Sequence, residues 1–394
     1  MRVLVTDGDT RPALATVRAL GRAGHEVIVA AGQHPSLASS SRFCNAHEVC
    51  VSPGHDPDGF ILDLVSIIAR RQIDVLFPMT EITTLLATGH RAALPTSCSL
   101  PFADAATIAA ASDKAQVVAL ARELGIPAPA TFVVPSAVAT ESIPEDLPFP
   151  VVVKPARSRI HTGSGWISTG VSYAADRAVL QDCLEQIPAA AFPVLVQERI
   201  EGPGRGLFAC FDRGRPVAWF AHRRLREKPP SGGVSVLCES TAIDPVALDY
   251  ANRLLGRLGW HGVAMVEFKE DRRNGSMRLM EINARFWGSL QLAIDAGVDF
   301  PCILAELAAG QPPEASPGYR LGVRSRWLAG DLDALIMMLT RSRRLLDLPP
   351  SHPGRLAALW SFLHLWGQDL HYEVERCDDP APSRLEWRRR LFGR

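Results

Sequence analysis

The densest chemistry in this sequence lies between Gly262 and Asn283. Asn274-Gly275 is a strong hairpin-turn signal, and apolar residues flank Glu267 before it and Glu281 and Asn283 after it. If the turn centres on Asn274, Glu267 lies opposite Glu281, with Cβ atoms about 5 Å apart. Period two puts Asn283 on the same face as Glu281. Two carboxylates facing one another between apolar neighbours repel unless one is protonated or a cation sits between them. Two acids and an amide oxygen suit a hard ion such as magnesium, which completes its shell with phosphate and water. The plainer alternative is the exposed polar face of an ordinary hairpin.

A second signal is the scarcity of lysine. The 42 basic residues include only Lys114, Lys154, Lys228 and Lys269 as lysines, so arginine stands wherever either would serve. A compact ammonium differs from a planar guanidinium where a phosphate must be met as a point charge, which singles out each lysine. The run from His222 to Lys228 also carries Arg223, Arg224 and Arg226. Strand alternation places His222, Arg224 and Arg226 on one side, where they could line a cleft that receives anions; most such runs are solvated faces. No histidine belongs to a recognisable triad, and Ser164, Ser231 and Ser289 lack a G-x-S-x-G setting.

These residues need elements to position them. Arg2 to Thr6 reads as a strand, Thr10 as a helix cap with Pro12 in the first turn, and Glu26 to Ala30 as a second strand. A helix from Asp58 to Arg71, a strand from Asp74 to Phe77 and a helix from Glu81 continue an open α/β unit. G-x-G-x-x-G is absent and no acid ends the second strand, which argues against a nicotinamide site. N–H groups at the helix start after Asp7-Gly8-Asp9 remain able to hold an anion. Ser112 begins another helix, and β-rich runs then alternate with turns to about Ser240. A helix from Asp244 to Leu258 leads into the hairpin. In the tail, Leu335, Leu339, Leu345, Leu346, Trp360, Leu363 and Trp366 suggest helices laid over the core, with Arg388 to Arg390 solvent-exposed. Trp260 reads as a core aromatic.

Composition narrows the function classes. The chain has 394 residues, 47% of them apolar, and equal numbers of basic and acidic side chains, 42 each. No bulk field favours nucleic acid or an acidic membrane surface. Apolar runs fall far short of the roughly 18 residues of a membrane span. Asp7 and Asp9 interrupt what would be the apolar part of a signal peptide. None of the eight cysteines forms a C-x-x-C pair. A cytoplasmic protein that binds neither nucleic acid nor membrane is expected, and a homodimer is compatible with this.

The stretch from Glu281 through Asn283 and Arg285 to Trp287, Gly288 and Ser289 resembles the ATP-grasp superfamily, in its carboxylate-amine ligase and carbamoyl-phosphate-synthase-like branch. The resemblance extends over about three quarters of the chain. It takes in Val3 to Gly8, Ser112 to Lys114, Pro150 to Pro155, Gln197 to Gly202 and the hairpin, in the family's order. It implies an α/β N-terminal domain, residues 1–111, followed by an α+β ATP-grasp fold whose subdomains, 112–195 and 196–320, clamp ATP, and a helical C-terminal extension, 321–394. Lys154 would meet the α and β phosphates with Lys114 nearby. Gly163, Ser164 and Gly165 would close over the β and γ phosphates, although alone they read as a structural turn. Gln197 to Ile200 would bracket adenine, with Glu198 accepting through its carbonyl or side chain and the Ile200 backbone donating. Glu201 is the near candidate for the ribose.

The resemblance further implies that Glu267, Glu281 and Asn283 hold Mg2+, with Mn2+ as the alternative. Arg285 would steady the transferred phosphoryl group and the tetrahedral intermediate. Arg226 and Lys228 would border the acceptor site. The expected activity is an ATP-dependent ligase that couples a small carboxylate to an amine through an acyl phosphate. The alternatives are a phosphoryl or carboxyl transferase of the same fold, or a non-catalytic nucleotide-binding protein.

Overall fold

The computed structural model describes residues 1–139, 143–162, 165–168, 170–311, 318–343, 345–346, 348, 352–365 and 367–393. Short apolar runs and capped helices build its first unit. Strand β1 (Arg2–Val5) leads into α1 (Arg11–Arg22), where the Thr10 side chain accepts from the Ala13 N–H and a proline fills the first turn. Strands β2 (Glu26–Ala31) and β3 (Ala46–Val49), α2 (Pro57–Arg71), β4 (Val75–Phe77) and α3 (Glu81–Gly89) follow. The four strands form a parallel sheet in the order β3-β2-β1-β4, the open α/β unit expected here. In the turn after β1, Asp7 has a φ of 55° and its carboxylate accepts from the Thr6 and Thr83 hydroxyls at 2.5 and 2.6 Å. Asp9 is taken by the Leu37 N–H and by Arg389, so both acids of the turn serve the fold.

Helices α4 (Ala105–Ser112) and α5 (Lys114–Glu123) connect this unit to the next. Ser112 ends α4 instead of opening a helix. Asp113 caps α5, because its carboxylate accepts from the Ala115 and Gln116 N–H groups, the first free donors of the helix. Strands β5 (Thr131–Val134), β6 (Val151–Pro155), β7 (Ile160–His161), β8 (Trp166–Ile167) and β9 (Ser172–Ala174), helix α6 (Arg177–Glu185) and β10 (Val194–Glu198) come next. Strand β10 pairs with β5 and β6 along its length, so the expected boundary after residue 195 falls inside a strand.

The remaining strands are β11 (Gly204–Asp212), β12 (Arg215–Lys228) and β13 (Val234–Ser240), then, after α7 (Pro245–Arg257), β14 (Gly262–Glu270) and β15 (Met277–Asn283). Helices α8 (Leu290–Ala296) and α9 (Phe300–Ala308) precede β16 (Arg324–Arg326), α10 (Leu328–Thr340), α11 (Arg355–Leu363), β17 (Leu370–Tyr372) and α12 (Ala381–Phe392). The large sheet runs β15-β14-β11-β12-β13-β16-β17. The C-terminal region is therefore not purely helical, since it adds two strands to this sheet. Alternation gives the sheet two faces. Leu207, Ala209, Val266 and Phe268 bury one against α5 and α7, with Trp260 fully enclosed among them. On the other face, Phe208, Phe220 and Val263 join Phe286, Trp287 and the N-terminal sheet in a single core.

The C-terminal segment is tied to α1 by buried charge. Arg18, wholly buried, donates to the Asp379 carboxylate at 2.8 Å and to the carbonyls of Glu373, Val374 and Asp379. Asp379 also accepts from the Ser41 hydroxyl and the Arg42 N–H. Of the tail residues expected to pack, Leu335 and Leu346 are buried, whereas Leu339, Leu345, Trp360 and Leu363 are exposed; α11 packs on α10 but buries none of its residues. Trp366 lies outside the described residues. Arg389 and Arg390 are not free solvent groups, since they bond Asp9 and Asp333. Among the described residues no helix is long and apolar enough to cross a membrane.

Removing one partner of a buried pair strands the other charge. Asp379→Ala should lower the unfolding free energy by about 3–5 kcal/mol, and the double variant Arg18→Met/Asp379→Leu should recover much of it. Chemical denaturation of the three proteins checks this, and equal losses in the single and double variants would contradict it.

Candidate functional site

The hairpin closes at its expected turn, and a bulge between Glu267 and Phe268 then shifts the pairing by one residue. Gly275 adopts φ 71°, which the turn after Asn274 needs and which costs a residue with a Cβ. The register places Glu267 opposite Glu281 and Met265 opposite Asn283. Gly206 on β11 pairs with both Glu267 and His222, so His222, Gly206, Glu267 and Glu281 form one row across four strands. Glycine is required in that row, because a Cβ at residue 206 would stand 2.7 Å from the Phe208 ring. With Gly204 two residues earlier, it leaves the sheet surface low. The result is a cleft of about 570 Å3 between the large sheet and the β5-β10-β6-β9 sheet.

Cations surround the facing carboxylates. Glu267 accepts from Arg224 at 2.6 Å, and Arg224 also pairs with Glu227 at 2.9 Å. Glu281 lies 3.4 Å from the Lys114 ammonium and accepts from the Asn283 amide at 3.1 Å. Lys114 donates to the Ser158 hydroxyl at 2.7 Å. Burial pushes Glu267 above the usual carboxylate range, with Glu281 adding to the push and Arg224 opposing it. Burial acts the same way on Glu281, but Lys114 and Lys154 outweigh it and hold that carboxyl below its ordinary value. Lys154, at the end of β6, is buried, and burial lowers its ammonium to about 8 against the pull of Glu281. The two acids are thus held in different states by their neighbours, as two like charges at close range demand.

The donor set fits a hard divalent cation. Glu267 and Glu281 present oxygen from facing strands, and the Asn283 amide oxygen is oriented by Arg285 at 3.3 Å. Among the described residues no group of three or more His, Cys, Asp or Glu converges on a metal site. An ion held by these three residues would draw its remaining ligands from phosphate or water. Arg285 also donates to the Phe286 carbonyl at 2.8 Å, so its guanidinium is fixed beside the acids.

At one end of the cleft lies the segment expected to bracket adenine. Gln197 is buried and donates to the Thr131 hydroxyl at 2.7 Å. The Glu198 carboxylate is occupied by Arg273 at 2.5 Å and the Ala130 N–H at 3.3 Å, so its side chain is engaged within the protein. The Ile200 carbonyl accepts from Lys269 at 3.2 Å. Glu201 borders the cleft and its carbonyl accepts from the Arg272 N–H. Arg199 lies over the Tyr173 ring at 4.7 Å, and both face the cleft. Gly163 and Ser164 lie outside the described residues. Gly165 does not line the cleft; a Cβ there would come 3.3 Å from the Gly54 carbonyl of the N-terminal unit.

Two of the residues expected at the acceptor side are elsewhere. Pairing between β12 and β13 is irregular around Arg224 to Glu227, which breaks the alternation and turns Arg226 away from the side that His222 and Arg224 share. Arg226 pairs with Asp331 and the Ser361 hydroxyl, bracing α10 and α11, and Lys228 pairs with Asp333 on α10, so neither lines the cleft. Arg224 lines the cleft, on the side that strand alternation gives it with His222, and Lys269 lines it too, although the sequence reading gives Lys269 no role. A signal for Lys269 exists, since it is one of four lysines and lies two residues from Glu267. His222 contacts the Ser289 hydroxyl at 2.9 Å and is neutral, because burial and then Arg224 lower it to about 3.

The model of a family described as ATP-grasp in the biosynthetic pathway with Ter operon matches residues 191–330. No curated protein sequence matches the chain. Among solved structures, the L-amino acid ligase from Bacillus licheniformis is 15% identical, with a TM-score of 0.59, over 78% of this chain and 73% of its own. The N5-carboxyaminoimidazole ribonucleotide synthetase from Thermotoga maritima is 17% identical, with a TM-score of 0.58, over 82% and 79%. The biotin carboxylase domain of Hydrogenobacter thermophilus 2-oxoglutarate carboxylase, solved with MgADP, ADP and bicarbonate, is 15% identical, with a TM-score of 0.63, over 82% and 73%. At these identities the likeness is one of fold. Residues 191–330 match an ATP-grasp family model, and the chain has the ATP-grasp fold that these ligases and carboxylases share.

Proposed function

We propose that the chain is an ATP-dependent ligase that joins a small carboxylate to an amine and releases ADP and phosphate. The observation that carries this reading is the facing pair Glu267 and Glu281, set among Lys114, Lys154, Asn283 and Arg285 in one cleft. Such a pair has little use in a module that only binds nucleotide, since the acids repel without a cation between them. The β10 end would receive adenine, through the backbone of Glu198 and Ile200, and Lys114 and Lys154 would meet the phosphates. Glu267, Glu281 and Asn283 would hold Mg2+, which when bound supplies charge neutralisation to the phosphates.

In the first step a carboxylate oxygen attacks the γ phosphorus, the bond to the β-γ bridging oxygen breaks, and ADP leaves with the electron pair. In the second the amine nitrogen attacks the acyl carbon, and phosphate departs with the bonding pair while the amine gives up a proton. Arg285, anchored on the Phe286 carbonyl, is placed to stabilise the oxyanion. Kinase-like or carboxyl transfer would use the same nucleotide residues, and product analysis separates them. The unpaired thiols accord with a cytoplasmic location as part of this proposal.

Nucleotide binding should depend on the charge of Lys154. Below about pH 8 its ammonium is already formed, whereas above that value phosphate binding must draw a proton onto it. ATP affinity should fall by up to about tenfold per pH unit above 8, and Lys154→Met should lose both the affinity and this dependence. In the free protein the sign is reversed: the fold favours the neutral amine, so this contribution to stability is full above about 10.5 and is lost as pH falls through about 8. Calorimetric titration with nucleotide between pH 7 and 9.5 checks the first effect, and an unchanged affinity in Lys154→Met would remove Lys154 from the site.

Glu281→Gln should abolish magnesium-dependent ATP turnover while altering the melting temperature little, since it also relieves repulsion from Glu267. Wild-type turnover across a magnesium titration would refute the metal assignment. With hydroxylamine in place of the amine, the correct acid should be trapped as its hydroxamate, with ADP as co-product. Arg285→Ala should reduce that yield by roughly 10². Release of AMP would overturn the acyl-phosphate mechanism, and ADP without hydroxamate would point to kinase-like transfer.

A further inference from the structure

The cleft has a cation that the proposed chemistry leaves without a task. Arg11, the first residue of α1, reaches from the N-terminal unit into the same cleft as Glu267 and Glu281. Its guanidinium lies 4.1 Å from the centroid of the Trp327 ring and pairs through Nη1 with Glu373, next to β17. Nη2 is 3.5 Å from the Ser235 carbonyl and points at Gly288, where a Cβ would stand 2.9 Å away. A side chain at residue 288 would displace this guanidinium from its present place beside the cleft wall. Two elements outside the hairpin, α10 and the segment after β17, therefore hold one side of Arg11 while the other edge faces the cleft.

Position along the hairpin indicates which part of a ligand Arg11 would meet. Lys269, bonded to the Ile200 carbonyl, lies two residues from Glu267 toward the adenine end. In the opposite direction come Asn283, Arg285 and Gly288. Arg11 is thus on the far side of the carboxylate pair from the adenine segment, beyond Arg285. Its counter-ion compensates it incompletely: burial pushes Glu373 up to about 7, and one of its oxygens has no hydrogen-bond partner. An anion arriving beside Gly288 would find a desolvated, preoriented fork, which suits the two oxygens of a carboxylate.

Resting on the ligase reading, we propose that Arg11, exposed by Gly288 and positioned by Glu373 and Trp327, binds a carboxylate that is not the one phosphorylated. That carboxylate belongs to a substrate bearing a second functional group. It comes either from the amine, which is then an amino acid, or from a dicarboxylic acid substrate. The shared chemistry is a carboxylate remote from the reacting centre, recognised in a bidentate manner.

The test compares matched probes with the full-length protein. One arm uses L-amino acids and their carboxamides as acceptors, and the other uses dicarboxylic acids and their monoamides as donors. ADP release and equilibrium binding in the presence of MgADP are both measured. In the arm that matches the natural source, wild type should prefer the carboxylate by tenfold or more in KM and in binding. Arg11→Met should erase that preference, raising KM for the carboxylate and not for the amide, with kcat and the KM for ATP little changed. Arg11→Lys should restore part of it. Gly288→Ala, which removes neither member of the ion pair with Glu373, should shift the preference in the same direction as Arg11→Met. Glu373→Ala should weaken the preference and Glu373→Gln should recover it. A preference retained in both Arg11→Met and Gly288→Ala, or an equal loss for carboxylate and amide, would overturn the proposal. Absence of ADP release with every pair would sink the ligase reading instead, and the binding arm would still decide whether Arg11 recognises the carboxylate.

Discussion

Two carboxylates placed face to face on adjacent strands are the constraint around which the rest of this molecule is arranged. Glu267 and Glu281 cannot both be ionised at the bottom of a cleft without positive charge nearby. The chain supplies it from three directions: Arg224 from β12, Lys114 from α5 and Lys154 from β6. Each comes from a different part of the sequence, so the site exists only when the two sheets and the linking helix are in place. Glycine at 204 and 206 on the central strand keeps the floor open beneath them.

Charge is also how the far end of the chain is held. The link between the C-terminal segment and α1 includes Arg18 with Asp379 and Arg11 with Glu373, and Arg326 is buried against Asp331 beside it. Buried ion pairs of this kind add little net stability over apolar packing, but removing one partner is costly, so they specify which surfaces meet. One of them ends in the cleft. A segment whose sequence reads only as packing material thereby contributes to the shape and charge of the site.

The division between arginine and lysine follows the same logic. Arginine makes the buried and bidentate structural pairs, as at Arg18, Arg205 and Arg326. Three of the four lysines, Lys114, Lys154 and Lys269, line the cleft, where a point charge suits a phosphate-sized ligand or a single carbonyl. Lys228 is the exception, and its partner is an aspartate on α10.

The strands and helices of the N-terminal unit and the helix cap at Thr10 are local matters. They follow from apolar periodicity and capping chemistry, each of which acts within about twenty residues. The β10 strand is legible from its apolar run, whereas the opposition of Glu267 and Glu281 rests on a bulge in β14 that the turn does not announce. The acceptor side is not legible either. Irregular pairing in β12 reverses the expected alternation at Arg226, and nothing in the local pattern announces where a strand will depart from period two. The addition of β16 and β17 to the large sheet joins segments far apart in the chain. Arg11 and Glu373 are separated by more than three hundred residues, and their meeting depends on how α1 packs against the C-terminal segment. Sequence alone determined the elements and the chemistry available on each face. Tertiary packing decided which of those charges share a cleft, because the neutralisation of a buried charge depends on distance in space and not along the chain.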